Sequence, residues 1–246
     1  MVTNSFFLET PGTLSMSDPI RSVPMHELKE AAVPEELLNQ LAASGADAPV
    51  SLICEIELTR FNAAERQRLL PLLWSYILRH RDSNSPETLA AVGAAIRKYI
   101  ALMPIEEMGR LAVLLESGHK SALPIELEIE VAKMIYRNFE VHPPLELNPH
   151  PDLARLLWEM VQAYANPRLL SRDKHSAAAL ISIQALVAMR SEFASNAIHV
   201  AAASPYRWFA ELVADQVDRL HDRWSATRPE AAAWLATSQK EMQVTA

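Results

Sequence analysis

The sequence predicts an all-α fold built from antiparallel helix pairs, and three observations carry that reading. Sixteen prolines stand against five glycines in 246 residues. Several prolines open a helical pattern and carry an acid within a residue or two: Pro34-Glu35-Glu36, Pro86-Glu87, Pro104-Ile105-Glu106-Glu107, Pro124-Ile125-Glu126, Pro151-Asp152 and Pro229-Glu230. Proline at the first helical position gives up no hydrogen bond, because that N–H has no partner inside the helix. A carboxylate in the first turn then meets the positive end of the helix dipole. The second observation is apolar spacing: Leu153, Leu156, Leu157, Met160, Val161 and Tyr164 form one continuous helical stripe. The third is the shortage of glycine, with no G-x-G-x-x-G or P-loop pattern, which argues against Rossmann, P-loop and β-sandwich folds.

Residues 1–32 read as a flexible N-terminal arm, disordered or draped over the body. Pro11, Pro19 and Pro24 interrupt any period there, and only Phe6, Phe7 and Leu8 cluster. The helical domain spans 33–240. Its first helix runs from Pro34 to about Ala43, where Ser44-Gly45 ends it. In 50–58, Val50, Leu52, Cys54, Ile56 and Leu58 alternate as a strand would. Ile125, Leu127, Ile129 and Val131 do the same, with Glu126, Glu128 and Glu130 between them. Paired as a small hairpin, the two stretches would make the fold α+β. Glutamate is depleted in strands, and Leu127, Val131, Met134 and Ile135 also fit helical spacing toward Phe139. The second stretch is therefore read as helix, while the first stays open between helix and strand.

Asn62 stands three residues before Glu65, a capping-box arrangement. The helix it opens runs from Ala63 to about His80 and carries Pro71 inside, which predicts a kink. Ser85 caps the next helix, with Leu89, Val92, Ile96, Ile100 and Met103 as its stripe. The helix from Asp173 to Met189 is different, because between Ala177 and Met189 only Ser182 and Gln184 are polar. A helix apolar nearly all round must be covered on several sides. It belongs at the centre of the C-terminal half, under the helices that follow Pro151 and Pro205. The last stripe is Phe209, Leu212, Val213, Val217, Leu220 and Trp224.

Taken as pairs, the helices recur. Arg68-Leu69-Leu70-Pro71-Leu72-Leu73 lies in the first helix of a pair, and the helix from Pro86 to Arg97 is its second. Val92 and Val131 are 39 positions apart, and 151–170 with 173–190 and 192–203 with 205–225 form further pairs. Over residues 62 to 225 the chain resembles a HEAT/armadillo-like α-solenoid, with the Leu-Leu-Pro-Leu-Leu run as the most specific match. The Asp and Arg/Lys positions of the HEAT turn do not recur, and the later units are unequal in length. The resemblance implies a short α-α superhelix; a compact helical bundle would give much the same pattern. No active site comes with it.

A net charge of −7 and a pI near 5.6 argue against non-specific nucleic-acid binding. The first basic residue is Arg21, so a charged signal-peptide start is missing, and the longest apolar stretch is too short to span a bilayer. These features predict a cytoplasmic protein without membrane contact. The single cysteine, Cys54, excludes an internal disulfide and a cysteine zinc site, and its flanks Leu52, Ile53 and Ile56 predict a buried thiol.

The polar linker Glu140–Asp152 holds the candidate chemistry. His142, His150 and Asp152 could bind a metal if the linker folded back on itself. Its four prolines hold it extended instead, which suits a connection whose Asp152 serves the next helix start. No metal or other cofactor is expected. From Pro104 to Asp152 nine acids face four bases, a balance of −5 out of −7. Glu126, Glu128 and Glu130 in that stretch could steer a basic partner, although the same charges suit a solvated face. Trp208, off the Phe209 stripe, could anchor a partner. No Ser-His-Asp or Cys-His arrangement follows from spacing. The function expected is a non-enzymatic interaction or scaffold module with a protein partner. The alternative is an all-α enzyme using the 140–152 linker or an inter-repeat groove.

Overall fold

A computed structural model describes residues 34–116 and 123–245, with side chains through residue 238, and every regular element in it is a helix. The fold is all-α, and no strand occurs among the described residues. The arm assigned to 1–32 lies outside them.

Helix starts follow the local signals. Helix α1, Pro34–Ser44, ends where Gly45 takes a left-handed φ of 58°, a conformation glycine adopts without a Cβ clash. The open stretch at 50–58 resolves into α2, Val50–Cys54, and a 3-10 turn at Leu58–Arg60, so the hairpin alternative is excluded there. Helix α3, Ala63–His80, opens on the expected capping box. The Asn62 side chain accepts from the Glu65 N–H at 3.0 Å, and the Asn62 N–H donates to Glu65 Oε2 at 2.7 Å. Helix α3 continues unbroken through Pro71, whose ring faces solvent. Ser85 caps α4, Pro86–Leu102, taking the Thr88 N–H at 3.3 Å.

The Pro104 signal produces a 3-10 segment, Ile105–Leu111, followed by the short α5, Ala112–Leu115. Helix α6, Ile125–Val141, confirms the helical reading of 125–131. Then come α7 (Pro151–Tyr164), α8 (Asp173–Ala188), α9 (Ala194–Ala202), α10 (Arg207–Thr227) and α11 (Pro229–Thr245).

Helix α8 is covered as its composition demands, with α6, α7, α9 and α10 all packed on it. Its Ser182 hydroxyl, fully buried, donates to the Ala178 carbonyl at 2.7 Å, so that buried hydroxyl is satisfied within the helix. The even-numbered helices form an unbroken row, α2 on α4, α4 on α6, α6 on α8 and α8 on α10. Odd-numbered helices meet as α1 with α3, α5 with α7, and α9 with α11. Trp224 of α10 is fully buried and its indole N–H donates to the Glu140 carbonyl at 3.0 Å, which ties α10 to the end of α6. No helix among the described residues is long and apolar enough to cross a membrane.

Candidate functional site

Helix α6 stops at Val141 because Pro143 and Pro144 can neither donate to a helix nor let the preceding residue stay helical. The chain that follows is held from behind by Arg190. This residue ends α8 in a Schellman arrangement: the Ser191 N–H reaches the Leu186 carbonyl and the Arg190 N–H reaches that of Val187, both at 3.0 Å. The motif needs a left-handed residue, usually glycine, and Arg190 fills it with φ 53°. A non-glycine residue there costs on the order of 1 kcal/mol. The side chain supplies what glycine could not. One guanidinium nitrogen of Arg190 donates to the carbonyls of Pro144 at 2.9 Å and Leu145 at 3.1 Å, and the group lies over the Trp234 ring at 5.4 Å. Among the described residues Asn148 is the other left-handed non-glycine residue, with φ 51°. Its N–H donates to the Arg190 carbonyl at 3.1 Å, and its side-chain amide to Glu192 at 2.8 Å.

The far end of the loop is fixed by His150. Its Nε2 lies 3.2 Å from the Ile105 carbonyl, and its ring tilts against Phe139 with centroids 5.9 Å apart. Gly109 leaves the space: a Cβ there would stand only 3.2 Å from the imidazole Nδ1. Burial holds the His150 pKa below its ordinary value, so the ring is neutral at neutral pH.

Between this loop and the 3-10 segment lies an open cleft of about 520 Å³. Ile105, Phe139 and Leu145 give it apolar walls, Glu106 and Glu146 its charge, and among the described residues no lysine or arginine lines it. On the loop Leu145 is 87% exposed and Leu147 59%, and Val141 at the end of α6 is 57% exposed. These are three of the few large apolar side chains that the described residues present to solvent.

The sequence candidates fare unevenly. His142 and His150 both reach the cleft, and Glu106, which sequence reading did not single out, joins them. Asp152 stays in the exposed first turn of α7, away from the cleft walls. No group of three or more His, Cys, Asp or Glu among the described residues is arranged to hold a metal, so the His142, His150 and Asp152 set is not assembled.

Of the acidic trio, Glu126 pairs with Lys174, and that hydrogen bond holds its carboxyl below the ordinary range. Glu130 pairs with Arg97 at 3.0 Å. Glu128 is not a surface charge at all: it is 6% exposed and accepts the Tyr164 hydroxyl at 2.5 Å. Helical geometry explains the split, since positions four apart share a face while the residue midway between them points the other way. Trp208 is 46% exposed at the start of α10, with its edge against Phe209.

Besides a small cleft of about 260 Å³ that shares Pro143, Pro144 and Leu145 with this one and adds Arg190 and Arg228, two larger ones are present. One, about 520 Å³ between the starts of α4 and α6, contains the Arg97–Glu130 pair. The other, about 430 Å³, is walled by stacked Trp74 and Tyr99.

Arg190 and Asn148 escaped sequence reading because their partners lie more than forty residues away along the chain. Comparison with known protein families, with curated proteins and with solved structures returned no match.

Proposed function

We propose that this chain is a non-enzymatic helical interaction module that docks a protein partner on the 141–150 loop and its cleft. The observation that carries the reading is the exposure of three apolar side chains, Val141 at the end of α6 and Leu145 and Leu147 on a loop whose backbone is pinned by Arg190, Asn148 and His150. Contiguous exposed apolar surface marks interaction sites, and a backbone already held in place loses little entropy on binding. The unbroken row of even-numbered helices supports the HEAT-like, superhelical reading of the scaffold. One cysteine in 246 residues supports a reducing, cytoplasmic setting. Trp208 is a second, separate anchor.

The test is retrieval of partners from the native host with the wild-type chain and with the Leu145→Ser/Leu147→Ser variant. A partner captured by the first and lost by the second is the expected result. Identical capture by both would remove the loop from the docking role.

A second reading, an all-α enzyme at the same cleft, draws on the meeting of His142, His150, Glu106 and Glu146 on its walls. A turnover lost in His142→Ala and retained in Leu145→Ser/Leu147→Ser would favour it.

A further inference from the structure

We infer that the occupant of this cleft is an extended segment of another protein in which lysine or arginine alternates with apolar side chains. The inference rests on the interaction reading above and adds the chemistry of the partner. Apolar walls from Ile105, Phe139 and Leu145 call for an apolar side chain between them. Among the described residues, the only formal charges on the lining are the carboxylates of Glu106 and Glu146. An acidic segment would bring like charge to both, whereas a basic one meets two carboxylates that no cation on the cleft wall offsets.

Three neighbouring cations are committed elsewhere, while Arg228 lines the small adjoining cleft and not this one. Arg110 pairs with Glu107 at 2.8 Å, Arg223 pairs with Glu140, and Arg190 serves the Pro144 and Leu145 carbonyls. The other clefts differ on this point, since Arg97 lines one, Arg110 a second, and Arg190 with Arg228 the small one that shares Leu145. A second copy of the chain is the less complementary occupant, because the surface it would have to offer belongs to a molecule of net charge −7. The site is an open cleft of about 520 Å³ with a fixed loop as one wall, a volume that suits a chain of a few residues more than a folded surface.

The experiment is selection of a displayed library of random twelve-residue peptides on the full-length chain. Enriched sequences are synthesised and their affinities measured by fluorescence polarisation. The proposal expects enrichment of Lys or Arg next to Leu, Ile, Phe or Pro. It further expects about tenfold weaker binding to Glu106→Gln/Glu146→Gln, at least tenfold weaker binding to Leu145→Ser/Leu147→Ser, and weakening as salt is raised. All four substituted side chains lie at the surface, and circular dichroism verifies that the variants remain folded.

Peptides without basic residues that are lost on Leu145→Ser/Leu147→Ser overturn the charge inference and leave the docking site standing. Peptides unaffected by either variant overturn both. Absence of any enrichment overturns the peptide occupant. Concentration-dependent self-association that disappears in Leu145→Ser/Leu147→Ser replaces it with a second copy.

Discussion

Glu128 lies between α6 and α7 with almost no access to water, and the Tyr164 hydroxyl at 2.5 Å is the hydrogen-bond donor seen at its carboxylate. Desolvation raises its pKa above the ordinary 4.5, against the opposing pull of the Tyr164 bond, and desolvation also raises that of Tyr164. The folded state therefore holds this proton more tightly than the unfolded chain. The stabilising contribution of the protonated group is complete below the ordinary carboxyl value and is lost as pH rises toward the elevated folded one. Glu128→Gln should flatten that part of the stability profile, so chemical denaturation from about pH 4 to pH 7 should show wild type losing more stability than the variant. An equal loss in both would remove Glu128 as its source. Cys54 is the opposite case, exposed where burial was expected. A strand would place Leu52, Cys54 and Ile56 on one side. The helical turn of α2 instead directs Leu52 and Ile53 inward and leaves Cys54 outside, with Ile56 buried just beyond its end. A disulfide-exchange reagent should titrate one thiol per native chain without denaturant; a thiol that appears only after unfolding would contradict this placement.

Among the elements, α3 shows how a local rule is overridden by packing. Pro71 has no N–H, so the Gln67 carbonyl loses its helical donor, yet the helix continues to His80. Leu69, Leu73, Tyr76 and Ile77 are buried on one face, and Pro71 is on the solvent side, where water can satisfy that carbonyl. Pro71→Ala should therefore stabilise the protein by about 1–3 kcal/mol, read from the denaturation midpoint at unchanged slope. A destabilised variant would mean that the proline shapes α3 for its contacts. The caps at Asn62 and Ser85 were legible because they act within one turn of chain. The Pro104 start was legible as a helix start but not as a 3-10 turn. That outcome depends on packing against α5, α6 and α7 and on the His150 ring at the Ile105 carbonyl. The 140–152 linker was legible as proline-rich and polar. Its anchoring was not, because Arg190 is contributed by the end of another helix.

At the scale of the molecule, α8 is the common partner of four helices, and small residues let those neighbours close in. Ala185 is fully buried there. Ala185→Leu should cost about 1–3 kcal/mol or more by overpacking, and should lower one calorimetric transition as a whole. Loss confined to a separate early transition would show that the row of helices unfolds in parts. By itself the sequence determined the all-α class, most helix starts and the burial of α8, because proline, caps and apolar spacing act within a few residues. Tertiary structure alone decided that Glu128 faces inward, that Cys54 faces outward and that Arg190 braces the loop beside the cleft. Those outcomes depend on which helix face meets which neighbour, and that choice is made by contacts between residues far apart in the chain.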